Sequence, residues 1–425
     1  MELQPPRGTD DLLPPRSEAM LGLYEAAHAT ARLFGYRFLE TPTFEHTELF
    51  TRAAGETSDI ATKEMYTFED KGGRSLTLRP EITPGIVRAY LDRAHELGTP
   101  FRGYFVGTCF RHGRPQAGRL REFRQFDVEV IGDASPGSDV EVIEIADRFL
   151  RGMGLKRLTL KLNSIGDPTC RPAYRERLIA YFEPHFGELD EDCRARLRVN
   201  PLRVFDCKVD GEKEFVLAAP TVAAHLCEAC AAHFAEVRAE LDRARIAYEV
   251  DPRLVRGLDY YTRTTFEFVS GVLARSKQGT VCGGGRYDGL AEVLGGAPTP
   301  GTGFGLGLDR VLLAMERERQ RLPSERTPQV FVVSVGEGGR AAAETLVRDL
   351  RAAGVSAIAA HGERPLKAQL RMADRTGAGF AAIVGEREAA QGVVTIRRLV
   401  DGMQEQVPSG DVVGRLARGS EAMGA

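Results

Sequence analysis

Apolar positions recur at helical spacing from Ser17 to Phe34, where Met20, Leu23, Tyr24, Ala27, Ala31 and Phe34 share one face. Ser17 is placed to cap the start and Gly35 to end the run, so the stretch predicts an amphipathic helix. Between Tyr36 and Val130 the pattern is mixed. Phe105 to Phe110 and Phe123 to Ile131 read as strands and Thr83 to Leu97 as a helix, without regular alternation of the two. An α+β domain built on an antiparallel sheet flanked by helices fits this order. Asp167 to Ala247 is helical in pattern, broken near Pro184, Pro201 and Pro220, and strand-forming residues return at Tyr260 to Val269. Residues 168–247 are therefore expected to be a helical region inserted in a larger domain of residues 1–325. Beyond the charged stretch Glu316 to Pro328 the texture changes. Val330 to Val335, Ala341 to Ala353, Val355 to Ala360, Pro365 to Thr376 and Phe380 to Val384 alternate between strand and helix. That predicts a separate α/β domain over residues 328–425 with a mostly parallel sheet.

A length of 425 residues agrees with more than one core and excludes a single small binding module. The 57 basic residues against 60 acidic ones give a formal charge of −3, so no global basic field exists to hold nucleic acid, and any such partner must be met by local patches. No run of eighteen apolar residues occurs and Met1 to Asp11 is polar and proline-rich, which predicts a cytoplasmic protein without a membrane partner. Seven cysteines, an odd number thinly spread, predict reduced thiols rather than a disulfide framework.

Local charge changes this picture. From Arg102 to Arg124 there are six arginines and one acid, Glu122, an excess that needs an anion or a solvated loop. The segment reads as a long hairpin with guanidinium groups at its base and tip. On its outgoing strand Phe126, Val128 and Val130 face one way and Gln125, Asp127 and Glu129 the other, which is either a solvent-exposed face or the floor of a polar pocket. Arg256, just after Leu254 and before Tyr260 and Tyr261, suits bidentate binding of phosphate or carboxylate; adjacent tyrosines in a strand would point to opposite faces. Gly301, Gly303, Gly305 and Gly307 would leave one strand face bare, for a flat ring or a packed helix, with Arg310 at the strand–helix junction where phosphates would extend. Gly283 to Gly289 is most simply a tight turn. Cys227 and Cys230, with Cys193, Cys207 and His233, could supply zinc ligands, but one Cys-x-x-Cys with irregular outliers is a weak signal, and free thiols are the default, so no metal ligands are assigned.

Taken together, Arg7 to Asp11, Phe110–Arg111 to Arg119 with Glu129, the Arg256-Gly-Leu-Asp-Tyr-Tyr261 run and Gly303 to Arg310 resemble the histidyl-tRNA synthetases, a class II aminoacyl-tRNA synthetase family, in family order and over nearly the whole chain. The resemblance implies a class II synthetase-like catalytic domain, a C-terminal anticodon-binding domain and a homodimer. It implies a ligase that activates L-histidine with ATP and transfers it to tRNA(His). Glu81, Thr83, Gln125, Glu129, Tyr260 and Tyr261 would surround histidine. Arg111 and Arg256 would reach its carboxylate and the α-phosphate as the catalytic pair, and Arg119 and Arg310 the outer phosphates. Mg2+ is inferred from the reaction class. Gly113, Ile82, Pro84, Asp309 and Arg124 depart from the family's usual residues. The alternative is a non-catalytic histidine-binding regulatory subunit of ATP phosphoribosyltransferase. Such relatives generally lack the C-terminal domain and do not keep the activating arginine, and this chain has both.

Overall fold

The computed structural model describes residues 3–55, 58, 60–274, 279–323 and 327–421. Two compact units divide the chain, Met1–Ser324 and Glu325–Ala425.

The first unit is built on an eight-stranded sheet whose strands, in chain order, are β1 (Arg37–Phe38), β2 (Phe101–Phe110), β3 (Glu122–Ile131), β4 (Leu158–Ser164), β5 (Glu249–Val250), β6 (Thr262–Ser270), β7 (Thr280–Arg286) and β8 (Gly301–Gly307). They lie in the order β1-β2-β3-β8-β7-β6-β4-β5, antiparallel through the centre and parallel at the two short edge strands. Alternation along β3 decides which face does what. Phe126, Val128 and Val130 enter a core with Phe266, Phe268, Phe304 and Leu306, covered by the Arg16–Leu33, Pro136–Gly152, Glu228–Arg243 and Leu308–Glu318 helices. The Arg16–Leu33 helix buries Met20, Leu23, Ala27 and Ala31, the anticipated face, although it begins at Arg16 and Ser17 makes no side-chain cap. Behind the opposite sheet face a second core gathers Ile86, Val87, Phe105 and Tyr260 with the helical segment that follows β4. That segment lies between β4 and β5; its Arg171–Phe182 and Glu191–Leu197 helices and the short helical turns after them pack into this second core, and its last helix, Glu228–Arg243, returns to the first.

Gly283–Gly285 corrects the sequence expectation of a tight turn: these glycines lie inside β7, hydrogen-bonded to β6 on one side and β8 on the other. The strand needs them because its neighbours come too close for side chains. A Cβ on Gly284 would stand 2.2 Å from the Gly303 carbonyl oxygen, and one on Gly283 2.4 Å from the Arg256 guanidinium. Arg286, which ends the strand, is wholly buried and grips Asp139 at 2.7 Å, so it belongs to the core.

In the second unit, β9 (Val330–Ser334), β10 (Ala357–Ala359) and β11 (Phe380–Val384) pair in parallel, in the order β10-β9-β11. An antiparallel hairpin, β12 (Val393–Arg398) and β13 (Gln404–Pro408), extends that sheet. This hairpin lies beyond the alternating pattern that ended at Val384. Val330, Val332, Leu346, Leu350, Ala382 and Ile396 form the unit's own core. Among the described residues no helix is long and apolar enough to cross a membrane.

Candidate active site

The antiparallel β2–β3 hairpin sets Gly107 opposite Gln125 and Phe105 opposite Asp127, so the polar residues of β3 stand on the sheet face away from the aromatic core. The solvent-exposed reading of that face does not hold. Asp127 is 2 % exposed and Glu129 0 %, and Gln125 and Asp127 line a cavity beside the amino-terminal half of β3.

Of the ten residues singled out from the sequence, nine line this one cavity: Glu81, Thr83, Arg111, Arg119, Gln125, Arg256, Tyr260, Tyr261 and Arg310. Glu129 does not reach it. It lies beneath, accepting hydrogen bonds from the Thr83 hydroxyl at 2.5 Å and from the Tyr287 hydroxyl at 2.5 Å. Tyr260 and Tyr261 both face the cavity, against the expectation of opposite faces, because they sit in the turn before β6 rather than in a strand, with rings tilted and 4.8 Å apart.

One side of the cavity is rich in acceptors. Glu81 takes the Tyr260 hydroxyl at 3.0 Å on Oε2, while its Oε1, the Gln125 Oε1 and the Asp127 Oδ2 are buried without a hydrogen-bond partner. A partnerless buried acceptor costs about 1–3 kcal/mol, so three on one wall call for a ligand that donates. Burial pushes the Glu81 carboxyl up to about 6, against the opposing pull of Arg111, the Tyr260 bond and Arg256. Burial, with repulsion from Glu129 and Glu81, holds Asp127 well above the usual carboxylate range. Burial also raises Glu129, to about 8. A cation bound in the cavity would relieve the strain on Glu81 and Asp127.

The remaining wall is cationic. Arg111 is anchored by Nε to the Pro80 carbonyl at 2.8 Å and lies over the Phe123 ring, 5.3 Å from its centroid. Arg119 pairs with Glu64. Arg256 pairs with Glu267, whose other oxygen takes the Thr280 hydroxyl at 2.8 Å. Arg310, in the first turn of the Leu308–Glu318 helix, donates to the Gly118 carbonyl at 2.8 Å and the Thr280 carbonyl at 2.7 Å. Burial first, then repulsion from Arg111 and Arg119, brings the Arg310 guanidinium down to about 10, the mark of a site waiting for an anion.

The alternate glycines divide in use. Gly305 and Gly307 open onto the cavity, whereas Gly301 and Gly303 are bare because Tyr287 and Glu129 fill the space: a Cβ on Gly303 would meet Glu129 Oε2 at 1.8 Å. Two family departures also find each other, since Asp309 accepts from the Arg124 backbone at 2.6 Å and from its guanidinium at 3.0 Å. Sequence reasoning missed Glu267 and Glu64. Glu267, a carboxylate between Phe266 and Phe268 on a strand, carried the same alternation signal as β3. Glu64 is 55 positions from Arg119 and had no local signal.

The histidyl-tRNA synthetase family model matches residues 8–311, and an anticodon binding domain model matches residues 329–418. The chain belongs to the histidyl-tRNA synthetase family. The histidine–tRNA ligase of Moorella thermoacetica is 52% identical over 410 residues, 96% of either chain. The solved apo histidyl-tRNA synthetase of Staphylococcus aureus superposes with a TM-score of 0.83 at 36% identity, covering 98% of this chain and 100% of that one. A Bacillus halodurans structure described as an ATP phosphoribosyltransferase regulatory subunit/histidyl-tRNA synthetase has a TM-score of 0.64 at 23% identity, covering 91% of this chain and 98% of that one, a likeness of fold.

Proposed function

We propose that the chain is a histidine–tRNA ligase: it activates L-histidine with ATP to histidyl-adenylate, releasing pyrophosphate, and transfers histidine to the 3′ end of tRNA(His). The observation that supports this best is the opposite polarity of one cavity's walls, partnerless acceptors on Glu81, Gln125 and Asp127 against the guanidiniums of Arg111, Arg119, Arg256 and Arg310. A zwitterionic amino acid beside a triphosphate matches both. The histidine ammonium would sit on the Glu81 wall. Its carboxylate would then meet the α-phosphate between Arg111 and Arg256.

In that step like charges approach and the pentavalent transition state concentrates negative charge on the α-phosphoryl oxygens. Guanidiniums already fixed by Pro80 and Glu267 stabilise it without reorganising, which is the role assigned to Arg111 and Arg256. Arg119 and Arg310 would hold the outer phosphates and the departing pyrophosphate. Selectivity would rest on Thr83, Gln125 and the tyrosine hydroxyls, which offer an imidazole both a donor and an acceptor; Glu129 would act by fixing Thr83 and Tyr287. Phenylalanine would leave those groups unpaired at about 1–3 kcal/mol each.

The donor set does not fit a resident magnesium site. Among the described residues no three metal-ligating side chains converge at the cavity, and the carboxylates of Glu64, Glu267 and Asp309 are each taken by an arginine. Magnesium would enter with the nucleotide, held by phosphate oxygens and water. The Glu325–Ala425 unit would bind the anticodon. With twelve basic and eleven acidic residues from Pro328 on, it would use a local patch, and Arg371 and Arg375, exposed one turn apart on the Leu366–Arg375 helix, suit this better than Arg398, which is held by Asp401 at 2.7 Å. A homodimer in the cytoplasm completes the reading.

The test is exchange of labelled pyrophosphate into ATP with magnesium present. Exchange that needs histidine, and that phenylalanine does not support, is expected. Folded protein that binds histidine but catalyses no exchange would turn the reading to the regulatory one.

A further inference from the structure

The cysteines do not assemble as the sequence suggested. Cys193 and Cys207 lie with Asp190 and Asp210, His233 bonds Asp139 at 2.7 Å, and Cys227 and Cys230 meet instead with Asp167 and Cys170. We infer that Asp167, Cys170, Cys227 and Cys230 form a tetrahedral structural site for a zinc ion that clasps the start of the inserted helical segment to the start of its last helix.

Four donor atoms, one from each residue, lie within 4.8 Å of one another. The Cys170 and Cys230 sulfurs are 3.8 Å apart, and Asp167 Oδ1 is 3.7 Å from the Cys170 sulfur and 4.0 Å from that of Cys227. Tetrahedral zinc with bonds of ~2.3 Å to sulfur and ~2.0 Å to oxygen needs separations of about 3.8 Å and 3.5 Å, so a small contraction closes the shell. A disulfide, with sulfurs ~2.05 Å apart, is not what this geometry holds.

The ligands also come as two x2-spaced pairs, Asp167-x-x-Cys170 and Cys227-x-x-Cys230, the second at the start of the Glu228–Arg243 helix. Asp167 is already oriented. Arg263 holds Oδ2 at 3.2 Å and the Thr169 backbone donates to Oδ1 at 3.0 Å, which turns that oxygen toward the sulfurs. Arg263 and Arg171 supply positive charge beside a shell of three thiolates and a carboxylate. Soft thiolates favour zinc over magnesium or calcium.

Two contrasts sharpen the assignment. Cys109 and Cys282 are buried thiols away from either four-residue group. In the Asp190 group, Asp190 accepts from the Cys193 backbone at 2.6 Å and from the Cys207 thiol at 3.1 Å, and Asp210 accepts from the Asp190 backbone at 2.8 Å and is ion-paired with Lys213 at 2.7 Å. Lys213 already supplies a cation to that group. The proposed clasp, in turn, backs the active site, because Arg171 donates to the Tyr261 carbonyl and the Arg263 backbone donates to the Gly166 carbonyl at 2.7 Å.

The experiment uses the full chain, purified under reducing conditions from zinc-supplemented cells, with metal measured by mass spectrometry. About one zinc per chain is expected. Cobalt added to chelator-treated protein should give the thiolate-to-cobalt absorption of a tetrahedral site. Cys170→Ser and Cys227→Ser should abolish both signals and Cys207→Ser should leave both; Cys227, half-buried at the helix start, serves should Cys170→Ser fail to fold. Folded wild-type chain with titratable thiols that takes up neither metal would overturn the assignment. So would metal that Cys207→Ser removes and Cys227→Ser does not.

Discussion

Arg256 acts, in this account, on a transition state rather than on bound histidine. Its guanidinium is held by Glu267 under Tyr261, and Gly283 leaves the room in which it lies. Arg256→Ala should therefore slow adenylate formation in a single turnover by orders of magnitude while weakening histidine binding only modestly; rapid-quench kinetics with equilibrium dialysis separates the two. Glu129 makes a different prediction, in stability. Its pKa is about 8 in the fold against an ordinary 4.5, so between those values the native chain keeps a proton that the unfolded chain gives up. The stability it contributes is complete below pH 4.5 and is lost as pH rises through 8. Glu129→Gln should flatten the fall in stability across that window by up to about 1.4 kcal/mol per pH unit, read from denaturant midpoints at several pH values.

At the scale of elements, alternation and glycine placement do most of the positioning, and they differ in how far the sequence reveals them. The hairpin with its polar face on Gln125 and Asp127 was legible because a period of two is a local property. The centre of β7 was not: three successive glycines have no side-chain period, and only the packing of Phe304 and Arg256 against them explains the strand. The tyrosine pair misled for a related reason, since strand-forming residues began before the strand did. Nor could spacing sort the cysteines, because Asp167 and Cys170 are brought to Cys227 and Cys230 by the return of the helical segment. Two glycine variants test the packing argument. Gly303→Ala would strike Glu129 and the Val128 carbonyl, 2.3 Å away, and should cost about 1–3 kcal/mol in chemical denaturation. Gly283→Ala would strike only the end of the Arg256 side chain, so turnover should fall steeply with a much smaller loss of stability.

Over the whole molecule, two units with separate cores would carry separable tasks on the proposed reading. The cavity with its four arginines lies wholly within Met1–Ser324. The chain cut to residues 1–324 should keep histidine-dependent pyrophosphate exchange, yet lose aminoacylation of tRNA(His) by orders of magnitude, as a filter-binding charging assay would record. A near-neutral total charge agrees with this division, because recognition is then local to each unit.

On the proposed reading, one cavity holds an imidazole-bearing amino acid and a nucleotide phosphate against opposite walls. A crystal structure with a non-hydrolysable histidyl-adenylate analogue would reveal which wall meets which group. The analogue's ammonium is expected on Glu81 and its phosphate mimic between Arg111 and Arg256. An analogue bound elsewhere, or with its anionic group turned away from those two arginines, would contradict it.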